Sequence, residues 1–282
     1  MHISDLMPKN GLYDSHCHLI FREYPIPTEE IVEQAQFHSL SMLLNVSTDI
    51  NTSSQVHNLA VENNQYIKSF IGIDPQEVIP NPEHFMGLDL TDKDFDELKK
   101  QLENILNTQK DAILGIGETG MDFYWTKELG KETEGKSKEL QHKLYLIHIN
   151  IADQNRLPLT IHSRGAETEC LEVLNKNSNN TKGIFHSFTG TYEQAKAILD
   201  SGNGLGVNGI FTFKNAQNLR EVYKRLLGKV DKEVDPEYFY TKGIFFETDS
   251  PFLAPEGKRG EVNYPANVAD IYNAFVNFLS NN

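Results

Sequence analysis

Short apolar segments alternate with longer, more polar segments along most of the chain. The apolar segments are rich in β-branched and aromatic residues, which is typical of strands. Eight segments fit this description: 11–19, 42–47, 67–73, 113–119, 157–162, 183–188, 204–210 and 243–248. The hydrophobic pattern therefore predicts about eight strands.

The segments between the strands carry apolar residues at helical spacing. In 92–106, for example, Phe95, Leu98 and Leu102 recur at intervals of three or four residues. Helices are predicted at 28–40, 92–106, 139–154, 167–175, 192–201, 215–227 and 264–279. Three other segments are predicted to be surface loops: the proline-rich 75–91, the mixed-charge 127–138 and the Asn/Ser-rich 175–182.

This succession of strands and helices is typical of one α/β architecture. About eight β units, each followed by a helix, fill 282 residues, which is close to the length of a single (β/α)8 TIM barrel. An open, doubly wound sheet is the main alternative, but no G-x-G-x-x-G motif follows the first strand. We therefore predict an α/β fold, a TIM barrel, as a single domain over residues 1–282.

Composition and charge narrow the range of functions. Lys and Arg number 26 and Asp and Glu 40, so the net charge is −14, which argues against a protein that wraps nucleic acid on a broad basic face. Cys17 and Cys170 are too few for a disulfide framework or a cysteine-rich zinc module. The mean hydropathy is −0.46 and no long apolar segment occurs. We expect a cytoplasmic protein, with nuclear entry left open, that has no membrane association and no obligate protein partner.

Six side chains of the types that bind metal ions fall at or near the carboxyl ends of predicted strands. They are His16, His18, His162, His186, Glu118 and Asp249. In a parallel barrel all of these ends meet at one rim, where active sites are built. Neutral imidazoles suit transition ions such as zinc or manganese. The six side chains together predict a metal centre at this rim.

The local sequence around His16, His18 and Glu118 makes this prediction more specific. Strand alternation places the imidazoles of His16 and His18 on one side, with Cys17 on the other. A pair of hydrogen-bonded core histidines is the alternative. Glycines flank Glu118, so its carboxylate can reach into the barrel mouth and bridge two cations about 3.5–4 Å apart. A turn glutamate that caps the next element is the alternative there.

Two acidic residues lie at the end of the eighth strand. Asp249 stands where it can bind a metal ion and accept a proton from water. Glu247 shares the inward face one layer deeper and is interpreted as a buried hydrogen-bond acceptor rather than a ligand.

Residues next to the predicted ligands are candidates for contacts with a substrate. Arg164 follows His162 and has a planar guanidinium group that pairs with phosphate oxygens. Tyr124, Trp125 and Phe188 could stack on an unpaired base. Packing in the core or at the rim is an equally good interpretation of these three aromatic residues.

Six motifs resemble those of the TatD family of metal-dependent deoxyribonucleases, within the amidohydrolase-like barrel superfamily, and they occur in the same order as in that family. They cover nearly the whole chain: DSHCHL (14–19), GIGETGMDFY (115–124), HSR (162–164), HSF (186–188), GIFTF (209–213) and ETDSPFLAP (247–255). The resemblance implies a hydrolase that cleaves phosphodiester bonds of DNA, often from a 3′ end, with two divalent cations (Mg, Mn or Zn).

The resemblance also implies a division of the ligands. One cation would be bound by His16, His18, Glu118 and Asp249, and the other by Glu118, His162 and His186. Two other functions stay open: metal-dependent hydrolysis of a small amide, lactone or phosphoester, and a non-enzymatic, metal-stabilised partner in DNA breakdown.

The sequence departs from the family pattern at three places. Asp74 stands in Gly-Ile-Asp-Pro where relatives usually have a histidine, so it would either repel a phosphate at the rim or cap the turn before Pro75. Gly165 replaces the usual aspartate after His-x-Arg. The chain stops after a helix that ends near Leu279, whereas relatives usually continue into a further helix. These departures concern substrate contacts and leave the predicted ligands intact.

Overall fold

Eight parallel strands form one sheet whose order follows the chain. The computed structural model describes residues 1–63, 65–80, 86–108, 110–127 and 129–281. The strands are β1 (Asp14–Cys17), β2 (Leu43–Val46), β3 (Ile67–Ile71), β4 (Ile113–Gly120), β5 (Leu159–His162), β6 (Gly183–Phe185), β7 (Gly204–Val207) and β8 (Ile244–Phe246). A parallel bridge between Cys17 and Ser250 joins the two edges of the sheet. The prediction of a TIM barrel is confirmed.

The strands are apolar because both of their faces are buried. Every residue of β2 and of β8 is buried, as expected in a parallel sheet that is covered by helices.

Close approach of neighbouring strands depends on glycine near Glu118. A Cβ atom at Gly120, where φ is +119°, would lie 2.0 Å from the carbonyl oxygen of His162. Glycine at this position therefore lets β4 and β5 run side by side up to the rim.

Helices connect the strands on the outside of the barrel. They are α1 (Thr28–Phe37), α2 (Ile50–Glu62), α3 (Asp92–Asn107), α4 (Phe123–Thr126), α5 (Lys131–Asn155), α6 (Glu167–Asn177), α7 (Tyr192–Asp200), α8 (Gln217–Leu227), α9 (Pro236–Thr241) and α10 (Val268–Asn281). Seven of them overlap the predicted helices. Residues 265–267, predicted as the start of the last helix, form a short 3₁₀ turn before α10.

The sequence pattern does not predict α2, the short α4 or α9. α2 is mostly polar, and its start is fixed by Asp49, whose side chain accepts a hydrogen bond from the Thr52 N–H at 2.8 Å. The interpretation of 127–138 as a loop is wrong in its second part, because α5 begins at Lys131. An ion pair between Lys138 and Glu134, one helical turn apart at 2.6 Å, supports this polar first part of α5.

The predicted loop 75–91 contains a short 3₁₀ turn at Pro75–Val78. Residues 81–85, which include Pro82, lie outside the described residues. None of the helices in the described part of the chain combines the length and the apolar character needed to cross a membrane.

Candidate metal centre

The carboxylate of Glu118 lies at the centre of the barrel mouth, between two groups of histidines. Its Oε2 atom is 3.6 Å from Nε2 of His16 and 3.8 Å from Nε2 of His18. Its Oε1 atom is 2.8 Å from Nε2 of His186 and 2.9 Å from Nδ1 of His162. The two oxygens of one buried carboxylate therefore face two separate sets of ring nitrogens.

His16, His18 and Asp249 form what we call the first cluster. The Nε2 atoms of the two histidines are 3.2 Å apart, and Oδ1 of Asp249 is 3.4 Å from Nε2 of His18. Cys17 points away, and its thiol donates to the carbonyl of Leu44, so the predicted division of the strand faces is confirmed. Backbone hydrogen bonds from Asp249 N–H to His16 O (2.9 Å) and from His18 N–H to Ser250 O (2.8 Å) hold the ligands in register.

The second ring nitrogen of each first-cluster histidine meets a neutral partner. Nδ1 of His18 donates to the carbonyl oxygen of Val46 at 3.0 Å. This leaves the lone pair of Nε2 directed at the cluster when the ring is neutral. Nδ1 of His16 pairs with the hydroxyl of Thr160 at 2.9 Å. Both rings are therefore oriented by groups outside the cluster.

His162 and His186 form the second cluster, on the other side of Glu118. Nδ1 of His162 is 3.3 Å from Nε2 of His186. Nε2 of His162 donates to Oδ2 of the fully buried Asp122 at 2.9 Å, which leaves Nδ1 free to act as a ligand atom. Nδ1 of His186 is 3.8 Å from Oε1 of Glu247. The carboxylate of Asp122 thus holds the ring of His162, and the carboxyl group of Glu247 lies behind the ring of His186 beyond hydrogen-bond distance.

Asp122 is a functional residue that sequence reasoning missed. While Oδ2 accepts from His162, Oδ1 accepts from the backbone N–H groups of Tyr124 and Trp125 at 2.9 and 3.0 Å. In the sequence this aspartate lies two residues after β4, which is typical of an ordinary helix N-cap, and it forms part of the GIGETGMDFY motif.

Glu247 lies where the sequence predicts it, buried behind the ligands. Its Oε1 atom accepts from the Ser187 N–H at 2.5 Å, in agreement with its interpretation as a buried acceptor. Burial, together with the charge of Asp249, raises the pKa of Glu247 well above its usual value. His16, His186 and Glu247 also form a third set of side chains close enough to hold a metal ion.

The charges of the clusters follow from burial and from mutual contacts. Burial lowers the pKa of His16 to about 4, and the neighbouring His186 adds to this effect. Burial also opposes the charged form of His18, but the hydrogen bond to Asp249 and the charge of Glu118 raise its pKa to about 9. Burial disfavours the carboxylate of Glu118, yet His186 and the other imidazoles hold its pKa well below the usual value. The carboxylate of Glu118 therefore stays ionised among the rings.

The donor set fits divalent cations. Each cluster, the second one together with Glu118, offers imidazole and carboxylate ligand atoms that all lie within 4.8 Å of one another. Imidazole and carboxylate ligands are the set that Zn²⁺ and related divalent ions take. The side chains of His16, His18 and Asp249 could hold one ion, and those of Glu118, His162 and His186 could hold another.

The residues predicted to contact substrate divide into two groups. Arg164, Tyr124 and Trp125 lie together at the surface beside the second cluster, with Cζ of Arg164 3.9 Å from the centroid of Tyr124. Tyr124 is 48% exposed and Trp125 45%. The interpretation of Phe188 as a base-stacking residue is wrong: it is 3% exposed and packs in the hydrophobic core. Its alternative interpretation, core packing, agrees with the structure.

Asp74 takes the second of the two roles that the sequence left open, the turn cap. Its Oδ1 atom accepts from the Gln76 N–H at 2.8 Å and caps the 3₁₀ turn that begins at Pro75. Burial and the nearby charge of Glu118 raise its pKa to about 8, whereas the His162 ring acts in the opposite sense. Asp74 is therefore a structural cap whose charge is coupled to the barrel mouth.

These ligand clusters at the carboxyl end of a (β/α)8 barrel place the protein in the class of metal-binding barrels that includes many hydrolases. Comparison with a family model described as TatD related DNase gives a match over residues 13–281. The chain belongs to this family of metal-dependent hydrolases.

Individual relatives agree with this assignment. The chain is 30% identical over 259 residues to BU355 of Buchnera aphidicola, covering 90% of this chain and 86% of that protein. It is 31% identical over 259 residues to MG009 of Mycoplasma genitalium, with the same coverage. Both relatives are named uncharacterized metal-dependent hydrolases.

Solved structures show the same fold. YJJV, a TatD homolog from Escherichia coli K12, superimposes with a TM-score of 0.73 at 22% identity and covers 95% of this chain and 90% of its own. A TatD family hydrolase from Entamoeba histolytica gives a TM-score of 0.66 at 18% identity, with 98% of this chain and 97% of its own covered.

Proposed function

We propose that this protein hydrolyses phosphodiester bonds of DNA, from 3′ ends, with two divalent cations at the barrel mouth. His16, His18, Glu118 and Asp249 would hold one cation, and Glu118, His162 and His186 would hold the other. The observation that carries the proposal is the position of Glu118, whose two oxygens face the two clusters separately. A carboxylate between two ligand clusters fits the two-metal sites of hydrolases.

The chain's own groups have defined tasks in this reaction. Bound divalent cations supply Lewis acidity and lower the pKa of water. Burial opposes ionisation of Asp249, but its hydrogen bond to His18 keeps its pKa below the usual value, so at neutral pH the carboxylate can accept a proton from the attacking water. Arg164 is exposed beside the second cluster and binds phosphate oxygens through its planar fork.

An unpaired strand fits the surface beside the second cluster. We call Arg164, Tyr124 and Trp125 the cationic platform; the guanidinium lies over Tyr124 at 3.9 Å and 5.3 Å from the centroid of Trp125. Exposed aromatic rings that carry an arginine favour stacked bases and their phosphates. The net charge of −14 disfavours a long nucleic-acid footprint, which suits digestion from an end.

A panel of substrates tests the proposal. We expect a 5′-labelled single-stranded oligonucleotide to be shortened stepwise from its 3′ end in the presence of Mg²⁺, Mn²⁺ or Zn²⁺, and to stay intact with EDTA. RNA of the same sequence, a model phosphodiester, an amide and a lactone are measured in parallel. Hydrolysis of the amide or lactone without cleavage of any phosphodiester would instead identify a small-molecule hydrolase. Bound metal without any turnover would favour a non-enzymatic role.

A further inference from the structure

A second pair of aromatic side chains lies beside the first cluster. Phe21 and Phe252 each follow a first-cluster residue by three positions, His18 and Asp249 respectively. The Phe21 N–H donates to the carbonyl of His18 at 3.4 Å, and the Phe252 N–H donates to the carbonyl of Asp249 at 3.0 Å. Turn hydrogen bonds therefore tie both phenylalanines directly to the backbone of residues that line the barrel mouth.

Their rings form a series of aromatic contacts that runs from solvent to the metal centre. Phe252 is 44% exposed, and its ring meets that of Phe21 edge to face with centroids 5.8 Å apart. Phe21 in turn lies parallel to the imidazole of His18, at 4.7 Å and 13°. We call Phe21 and Phe252 the phenylalanine platform. A planar apolar group that covers Phe252 would extend this series of aromatic contacts and remove the ring from water.

The two platforms flank the mouth and differ in charge. The cationic platform adjoins the second cluster, and the phenylalanine platform adjoins the first. Within the described residues, no Lys or Arg side chain lies over the ring of Phe21 or Phe252. Arg22 and Glu23, which follow Phe21, have opposite charges. One side of the centre therefore offers stacking together with a fixed cation, and the other offers stacking alone.

We propose that the phenylalanine platform binds the 3′-terminal nucleobase of a single-stranded DNA substrate, with the remaining strand on the cationic platform. This inference rests on the proposed DNA hydrolysis. Beyond the scissile phosphate, a 3′-terminal nucleotide carries no further phosphate, whereas the strand on the 5′ side continues as a chain of anions. The phenylalanine platform, which has no stacked cation, therefore matches the 3′-terminal nucleotide. The arginine of the cationic platform matches the phosphates of the strand on the 5′ side. A base that stacks on Phe252 has left its duplex, so the phenylalanine platform accepts the terminal base only when it is unpaired.

The test compares two oligonucleotides that differ only at the 3′ terminus, one with a normal nucleotide and one with an abasic nucleotide. Stacking of one base contributes about 1–3 kcal/mol, so Phe252→Ala should raise KM for the normal substrate by about 5- to 150-fold. On the abasic substrate the same variant should leave KM unchanged. Phe252→Tyr keeps the ring and should behave like the wild type. Tyr124→Ala should raise KM for both substrates.

Binding without turnover provides an independent measurement. Trp125 is the one tryptophan of the sequence, so its fluorescence reports directly on the cationic platform in the presence of EDTA. We expect the oligonucleotide with a normal 3′ end to quench this fluorescence at lower concentration than the abasic one. Phe252→Ala should abolish that difference.

Three results would overturn the inference. An equal effect of Phe252→Ala on both substrates would give Phe252 a structural role only, while DNA hydrolysis by the wild type would stand. If the effect of Phe252→Ala on KM disappears when the penultimate base is removed, the phenylalanine platform binds the strand on the 5′ side instead. Failure of the wild type to cleave any DNA with any of the three cations would reject the proposed function and this inference together.

Discussion

The two clusters on either side of Glu118 are oriented by different kinds of partner. In the first cluster both histidines turn their second ring nitrogen to neutral acceptors, the hydroxyl of Thr160 and the carbonyl of Val46. In the second cluster His162 donates to the carboxylate of Asp122, whereas Nδ1 of His186 faces the carboxyl group of Glu247 at 3.8 Å, beyond hydrogen-bond distance. A carboxylate behind an imidazole raises its basicity, so the second cluster should hold its cation more tightly. The first cluster instead has its negative charge in a direct ligand, Asp249.

Removal of Glu118 should erase the difference between the clusters, because both depend on it. We expect Glu118→Ala to abolish hydrolysis and to lower the bound metal at both positions. Elemental analysis and turnover measure this, with Glu33→Ala, at an exposed position on α1, as the control. Normal metal content together with normal turnover would contradict the assignment of Glu118 as the shared ligand.

Asp249→Asn should affect the first cluster alone. The change keeps the size of the side chain but removes the proton acceptor, so kcat should fall by about 10²–10⁴-fold while the fold is retained. The kcat measured across neutral and alkaline pH, with circular dichroism as a check on folding, gives the result. A near-normal kcat at every pH would show that another group accepts the proton.

Asp122→Asn should weaken the second cluster selectively. An amide can still cap α4, but it does not offer His162 a carboxylate, so cation affinity there should fall by about 10–100-fold. Thr160→Val, which removes the neutral partner of His16, is the matched change at the first cluster and should cost less. Metal titration of both variants compares the charged partner of His162 with the neutral partner of His16. Equal losses would mean that the charge of the outer partner is unimportant.

The smallest effect is expected at Asp74, which lies outside both clusters. Its pKa of about 8 means that the carboxyl group is mostly neutral at pH 7 and ionised at pH 9. Asp74→His should therefore lower KM for DNA only a few-fold at neutral pH and by more at pH 9, in both cases at low salt, where charges are least screened. Asp74→Asn removes the charge without adding an imidazole and so isolates the effect of the ring. A KM unaffected by pH and salt in either variant would leave Asp74 as a turn cap alone.

The positions of the candidate ligands could be predicted because the carboxyl ends of all strands in a parallel barrel lie at one rim. A residue at the end of a strand is therefore close to the residues at the ends of the other strands. His16, Glu118 and Asp249 stand where strands reach the rim, and the topology brings all of them together. Phe188 could not be placed in this way, since Ser187 has a φ of 50° and the strand alternation does not extend past it. The contact of Asp122 with His162 joins residues 40 positions apart and is invisible in the local pattern.

Helix boundaries show the same limit of local information. The first part of α5 looks like a loop because it is highly charged, but ion pairs along the helix and the hydrogen bond of the buried Ser137 to Val78 stabilise it. α2 lacks a strong apolar period and is held by its cap and by contacts of Val56 and Ala60 with the core. In both cases tertiary packing, rather than helix propensity, decides the structure.

The junction of β1 with β8 also sets the order in which the protein can become active during its synthesis. The hydrogen bond from Thr248 to Asp14 spans 234 residues, so the first cluster exists only after the chain has been made as far as Asp249. At about 5–20 residues per second, translation of that interval takes on the order of ten to fifty seconds. Throughout that time His16 and His18 lack Asp249, so a nascent chain cannot assemble a hydrolytic centre before the barrel that encloses it is complete.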